Sequence, residues 1–284
     1  MPLPSAFKNN SVTSEDGTHI GYRQTGAGEG IILVHGGMMA SQNFTALAEE
    51  LANEYTVYIP DRRGRGLSND HVNNRGLPFE GQDLQAIINQ TGAERIFGLS
   101  SGAVCTLQAV FDGARVKKVA LYEPLMSNQG SNPLVNTQKY DQAIMKGNYG
   151  KAFISIIKAT DGSSFFAKLP GFITVPLMNL AIKSEGKKDN GDKVPLQKLI
   201  AEWGYDRDLT LASAGMMERC KNITQPVLLM GGAKSQAFFK TALGGLAAAF
   251  PHCSRIEFPG LGHLGPDNSE QPKVIADALR QFFK

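Results

Sequence analysis

The sequence has no continuous apolar stretch approaching the roughly eighteen residues that a membrane-spanning helix needs. Its first residues, Met1-Pro2-Leu3-Pro4-Ser5, show no basic segment leading into an apolar one, so no secretory leader is expected. Cysteine is scarce. Cys105, Cys220 and Cys253 are odd in number, lack C-x-x-C spacing and lie in or beside apolar segments, which fits reduced packing residues and not a disulfide framework. No group of His, Cys, Asp and Glu has metal-ligand spacing, and Asp61-Arg62-Arg63-Gly64-Arg65-Gly66 lacks the Lys-Ser/Thr ending of a phosphate-binding loop. Neither a metal nor another cofactor is expected. Charge of one sign is also lacking: the net charge is +3, and the densest basic run, Lys183-Ser184-Glu185-Gly186-Lys187-Lys188, is interrupted by an acid and a glycine. These absences predict a cytoplasmic protein with neither a nucleic-acid nor a membrane partner.

What is present is an alternation. Short apolar runs at His19-Ile20-Gly21-Tyr22-Arg23, Ile31-Ile32-Leu33-Val34, Tyr55-Thr56-Val57-Tyr58-Ile59, Ile96-Phe97, Val119-Ala120-Leu121-Tyr122, Val227-Leu228-Leu229-Met230 and Arg255-Ile256-Glu257-Phe258 read as strands. Helical patterns lie between them near 44–53, 80–91, 101–112, 236–250 and 270–283. Continuous apolar strands separated by helices predict a layered α/β fold with a parallel sheet buried on both faces. The alternation stops between about Asn132 and Arg219, where helical stretches are separated by signals such as Lys168-Leu169-Pro170-Gly171. This predicts a core formed by residues 1–131 and 220–284 with a helical subdomain, 132–219, inserted. The insertion's apolar patches, Phe153-Ile154, Phe165-Phe166 and Phe172-Ile173-Thr174-Val175, read as its core or as the roof of a pocket, and packing is the commoner fate of such residues.

Gly98-Leu99-Ser100-Ser101-Gly102 joins the strand around Arg95-Ile96-Phe97 to the helix near Ala103. A serine at such a junction sits on a sharp, strained turn, with glycines two residues either side so that strand and helix approach without Cβ clashes. The pentapeptide alone is weak, since Gly66-Leu67-Ser68-Asn69-Asp70 lacks only its last glycine. A nucleophilic serine needs a base, an acid behind the base, and N–H groups for an oxyanion. His263, in Pro259-Gly260-Leu261-Gly262-His263-Leu264-Gly265 after the last strand, is the candidate base; His35 ends a strand and is expected to pack or to bond within its own loop. Strand 31–34 runs into His35-Gly36-Gly37-Met38, so Gly37 N–H, with Met38 N–H as the alternative, pairs with Ser101 N–H as candidate oxyanion donors.

His35-Gly36-Gly37, the Asp61 to Ser68 loop, the turn at 98–102, Leu121-Tyr122-Glu123-Pro124 and the Pro259 to His263 loop, in this order, resemble the α/β-hydrolase superfamily, in particular small soluble esterase-like proteins. The resemblance covers nearly the whole chain. It implies a mostly parallel eight-stranded sheet flanked by helices, with a helical cap between the sixth and seventh strands, and makes the arginine-rich loop structural. One position departs from the family: where an acid often follows the seventh strand, this chain has Gly231-Gly232-Ala233-Lys234-Ser235. Family members lacking that acid carry one after the sixth strand, where Glu123 stands. An acid closing so apolar a run also sits at the carboxyl edge of the sheet and needs a partner there. Glu123 is therefore the candidate acid, with Asp267 as fallback.

The expected activity is hydrolysis of carboxylic esters or related acyl bonds of small, largely apolar molecules through an acyl-enzyme at Ser100. Met38 and Met39 are candidate substrate contacts, because thioethers fit varied apolar shapes. Acyl transfer, thioester or lactone cleavage remain open. So does a ligand-binding protein without turnover, to which Lys234 in the usual acid position points.

Overall fold

Hydrogen bonding orders the eight strands β1-β2-β4-β3-β5-β6-β7-β8 in a single sheet. The computed structural model describes residues 7–70, 74–126, 137–160, 169–187, 191 and 193–284. β1 (Lys8–Thr13) and β2 (His19–Gly26) are antiparallel to each other, and β2 is antiparallel to β4 (Tyr55–Pro60). From β4 onward every pairing is parallel, through β3 (Glu29–Val34), β5 (Arg95–Leu99), β6 (Lys118–Tyr122), β7 (Val227–Gly232) and β8 (Cys253–Phe258).

The central strands are apolar on both faces because helices cover both. One row across the sheet runs Leu33, Phe97, Ala120, Leu228 and packs under α1 (Thr45–Leu51) and the C-terminal helix Pro272–Phe283. The neighbouring row, Ile32, Ile96, Val119, Val227, faces α2 (Leu77–Thr91) and α3 (Ser101–Phe111). Between β6 and β7 the described residues form α4 (Gln138–Met145), α5 (Tyr149–Thr160), α6 (Gly171–Glu185), α7 (Leu196–Ala212) and the short α8 (Met216–Arg219). α9 (Ala237–Ala249) and α10, the C-terminal helix, complete the chain. α7 serves two cores: Ile200 and Trp203 pack with Tyr140, Ala152 and Ile156, whereas Tyr205 and Leu209 belong to the cluster beneath α3.

Three expectations change. β1 was absent from the strands read in the sequence; it is an edge strand with exposed, mostly polar side chains, so its pairing leaves no apolar alternation to read. The pattern at 44–53 resolves into a 3-10 turn, Ser41–Phe44, followed by α1. Phe172 and Ile173, expected in a core or a pocket roof, point outward on α6 and are exposed, while Ile154 is buried and Phe153 packs with the insertion's cluster. Phe165 and Phe166 lie outside the described residues. The cysteines are free thiols, Cys105 and Cys220 buried and Cys253 half-buried.

Candidate active site

β5 ends at Leu99 and α3 begins at Ser101, leaving Ser100 alone to make the turn, at φ 57 and ψ −121. A non-glycine residue in that region is strained, and the surroundings hold it there. Ser100 N–H donates to Tyr122 O (3.0 Å), and Ser100 O accepts from Ala103 and Leu125 N–H (3.1 and 3.2 Å). The flanking glycines are obligatory. A Cβ on Gly102 would stand 2.2 Å from His35 O, and one on Gly98 would stand 2.7 Å from Ala103 Cα.

Ser100, Ser101, Gly37, Met38, Met39 and His263 all line one cavity of about 390 Å3. Much of the remaining wall is apolar: Leu99, Leu125, Ile156, Ile157, Trp203, Phe239 and Leu264. His263 lies in the loop after β8. Its ring stacks on Phe239, centroids 4.1 Å apart and planes 15° apart, and Tyr122 Oη anchors the loop by donating to Gly262 O (2.7 Å).

Behind the imidazole stands Glu123, whose Oε2 lies 2.7 Å from His263 Nδ1. Glu123 follows β6 in a left-handed conformation, φ 42, and is buried. Its other oxygen, Oε1, accepts from Gly232 N–H at 2.7 Å. This explains the glycines at the end of β7: a Cβ on Gly231 would meet Glu123 Oε1 at 3.1 Å, and one on Gly232 would meet Leu261 O at 2.3 Å. The end of β7 supplies a backbone donor to the acid of β6 instead of an acid of its own. Lys234 is among the residues lining the cavity. Asp267 takes no part: its carboxylate accepts from Asn43 Nδ2, Ser269 N and Ser269 Oγ.

The two N–H groups expected to face an oxyanion, those of Gly37 and Ser101, have no hydrogen-bond acceptor among the described residues. Met38 N–H, the alternative, points at Asp206 Oδ2 (3.4 Å). Met38 itself has φ 54. His35 is not among the residues lining the cavity: its Nδ1 lies 2.9 Å from Gly36 O, within its own loop as expected, and its Nε2 accepts from Arg62 N–H, in another loop, at 3.1 Å. Burial first, then the charges of Arg65 and Arg62, hold it neutral, well below the ordinary histidine pKa.

Asp206, on α7, is the residue that sequence reasoning missed. It is buried in the cavity wall and meets four donors: Arg62 Nη1 (2.8 Å) and Ser101 Oγ (3.1 Å) on Oδ1, Arg65 Nη2 (2.6 Å) and Met38 N–H on Oδ2. Burial opposes its charge, but Arg65 and Arg62 outweigh burial and hold its pKa at about 2. Arg62 is also bidentate on Glu80, at 2.9 Å for both bonds. The arginine-rich loop is thus structural, its ion pairs joining α2, through Glu80, to α7, through Asp206. A signal existed in the sequence: Leu199, Trp203, Asp206 and Thr210 follow helical spacing, which sets the acid on the apolar face. Among the described residues there is no cluster suited to a metal ion, and no helix is long and apolar enough to cross a membrane.

A family model described as alpha/beta hydrolase fold matches residues 30–269. Of curated relatives, the uncharacterized hydrolase YraK of Bacillus subtilis is 32% identical over 123 residues, 42% of this chain and 45% of that protein. A 2-(acetamidomethylene)succinate hydrolase of Mesorhizobium japonicum is 23% identical over 92% of this chain and 90% of its own length. Among solved structures, an alpha/beta hydrolase from Sphaerobacter thermophilus superposes with a TM-score of 0.77 at 25% identity, covering 97% of this chain and all of the other.

Proposed function

The chain belongs to the alpha/beta hydrolase fold family, and from that premise we propose that it is a serine hydrolase cleaving carboxylic esters of small, largely apolar molecules. The carrying observation is the Glu123–His263 pair at 2.7 Å on the cavity that also holds Ser100 on its strained turn. In the proposed cycle His263 Nδ1–H donates to Glu123, which leaves Nε2 to take the proton of Ser100 Oγ as the oxygen attacks the ester carbonyl. The negative charge that develops on the carbonyl oxygen is received by Gly37 and Ser101 N–H, the second at the N-terminus of α3. His263 then gives its proton to the leaving alkoxide, and the acyl group remains on Ser100. A water molecule, deprotonated by His263, attacks this ester, releases the acid and restores the serine.

The 132–219 insertion acts in this reading as a cap over the site, because Ile156, Ile157 and Trp203 from it line the cavity. Met38 and Met39 on the core side supply adaptable apolar surface. A cavity of about 390 Å3 with this lining suits short-to-medium acyl or aromatic esters. The alternative of binding without turnover drew on Lys234; with Glu123 behind His263, a lysine there no longer argues against catalysis. The test is turnover of p-nitrophenyl esters of increasing chain length by the wild type and by Ser100→Ala. Hydrolysis lost in the variant supports the proposal. Equal rates in the two proteins, or a wild type that turns over no acyl substrate, overturn it.

A further inference from the structure

α6 is unusual among the surface helices because it is apolar on both sides. Its first twelve residues, Gly171 to Ile182, carry no charge. Thr174 and Ile182 are buried, and the helix packs against α5, whose Ile156 and Ile157 line the cavity. The opposite side faces out. Phe172 is 80% exposed, Leu180 66%, Leu177 60% and Ile173 42%. At about 100° per residue, Phe172, Ile173, Pro176, Leu177, Leu180 and Ala181 fall within one half-turn arc, a stripe three turns long. Isolated exposed apolar residues need no explanation, but a contiguous stripe does. Five of the eight large hydrophobic side chains most exposed among the described residues, Met145 included, lie on α4 and α6.

The charge on this part of the insertion is net positive, although Glu185 stands between Lys183 and Lys187, where it accepts from Leu196 N–H at 3.1 Å. Lys183 falls in the same arc, and Lys187 follows the helix end. Residues 137–160 and 169–187 together carry six lysines against two acids, a greater excess than the +3 of the whole chain. One of those acids, Asp141, is held by Arg207 at 2.7 Å.

We propose that the exposed face of α6 docks on an anionic lipid surface, with Phe172, Leu177 and Leu180 entering the headgroup boundary and Lys183 and Lys187 meeting lipid phosphates. An apolar stripe edged by lysines matches such an interface in both hydrophobicity and charge. A second copy of the chain matches less well, since in an isologous contact the same patch faces itself and offers the lysines no anionic partner. The expectation of no membrane partner rested on the lack of a spanning segment, and peripheral docking needs none. The inference stands independently of the hydrolytic assignment, and its readout is binding.

The experiment is co-sedimentation of the full-length protein with vesicles of phosphatidylcholine alone or mixed with phosphatidylglycerol. Binding to the mixed vesicles is expected to exceed binding to the neutral ones by about tenfold or more, falling about fivefold for each lysine changed in Lys183→Gln and Lys187→Gln. Phe172→Ser with Leu180→Ser is expected to abolish binding, while the far-UV circular dichroism and thermal midpoint stay those of the wild type. Equal binding to both vesicle types, no binding, or full binding by the serine variant overturns the proposal. So does a concentration-dependent dimer of the wild type that the serine variant loses, which would assign the stripe to a second copy.

Discussion

Replacing Asp206 by alanine tests how the insertion is tied to the arginine-rich loop. The change strips Arg65 of the one carboxylate it pairs with among the described residues, leaving that buried guanidinium with two carbonyl contacts at 3.4 Å, to Gly36 and Met39, and an Nε with no partner among those residues. Arg62 is less affected because Glu80 still holds it bidentately. Breaking a buried pair by removing one partner costs about 3–5 kcal/mol, and the retained Glu80 contact sets the expectation at the low end, about 3 kcal/mol. With an unfolding entropy of about 2.1 cal/mol/K per residue, this lowers the melting temperature by about 5 °C. The catalytic effect has a separate origin. Met38 N–H and Ser101 Oγ lose their shared acceptor, so the two backbone segments carrying the proposed oxyanion donors lose a common anchor. Complete loss of one such donor costs about 10²–10³ in kcat, and loosening rather than deleting it is expected to cost about tenfold, with KM little changed. Calorimetry and steady-state ester hydrolysis read the two effects. Arg65→Met combined with Asp206→Leu is expected to recover the melting temperature but not kcat, because an apolar pair satisfies burial without orienting Met38 or Ser101. A single variant with unchanged melting temperature and kcat would show that the ion pairs support neither the fold nor the site.

Glu123→Gln keeps the shape but removes the charge that steadies an imidazolium, so kcat is expected to fall by about 10³–10⁴ with little change in KM; a loss below tenfold would remove Glu123 from the mechanism. The neutral state of His35 makes stability pH-dependent, since protonating Nε2 would set it N–H to N–H against Arg62. Its folded pKa lies below the unfolded value of 6.5, so its contribution is complete above that value and is lost as pH falls, by up to about 1.4 kcal/mol per pH unit. Asp83, which burial pushes up to about 6, titrates in the opposite sense. Urea midpoints at pH 7.5 and 5.5 are therefore compared with those of His35→Gln: the variant is expected to lose less stability on acidification, and an equal loss would contradict the reading.

The parts of the fold and site that the sequence disclosed are those imposed by local backbone geometry. The turn at Ser100 demands glycines where strand and helix nearly touch, and those glycines stand at 98 and 102. Glu123 was legible because an acid ending a run as apolar as Val119 to Tyr122 has few places to go; its bond to His263 joins residues 140 apart. Asp206 stayed hidden for a physical reason. It sits in Asp206-Arg207-Asp208, which reads as a solvated surface run, and its partners Arg62 and Arg65 lie more than 140 positions away. Phe172 and Ile173 were misread because hydrophobicity records a preference for burial and not its fulfilment: α6 has two apolar sides, and its neighbours cover one. β1 was invisible for the converse reason, since its backbone hydrogen bonds to β2 are satisfied whatever its side chains are.

The most direct measurement concerns the oxygen of Ser100. The native protein is treated with an alkyl fluorophosphonate, digested, and the peptide carrying residues 98–102 weighed by mass spectrometry. If Ser100 is the activated nucleophile, the wild type gains one phosphonyl adduct at that residue, Glu123→Gln gains it far more slowly, and Ser100→Ala gains none. A wild type that stays unlabelled, or an adduct that persists in Ser100→Ala while ester cleavage continues, would show that the chemistry lies elsewhere.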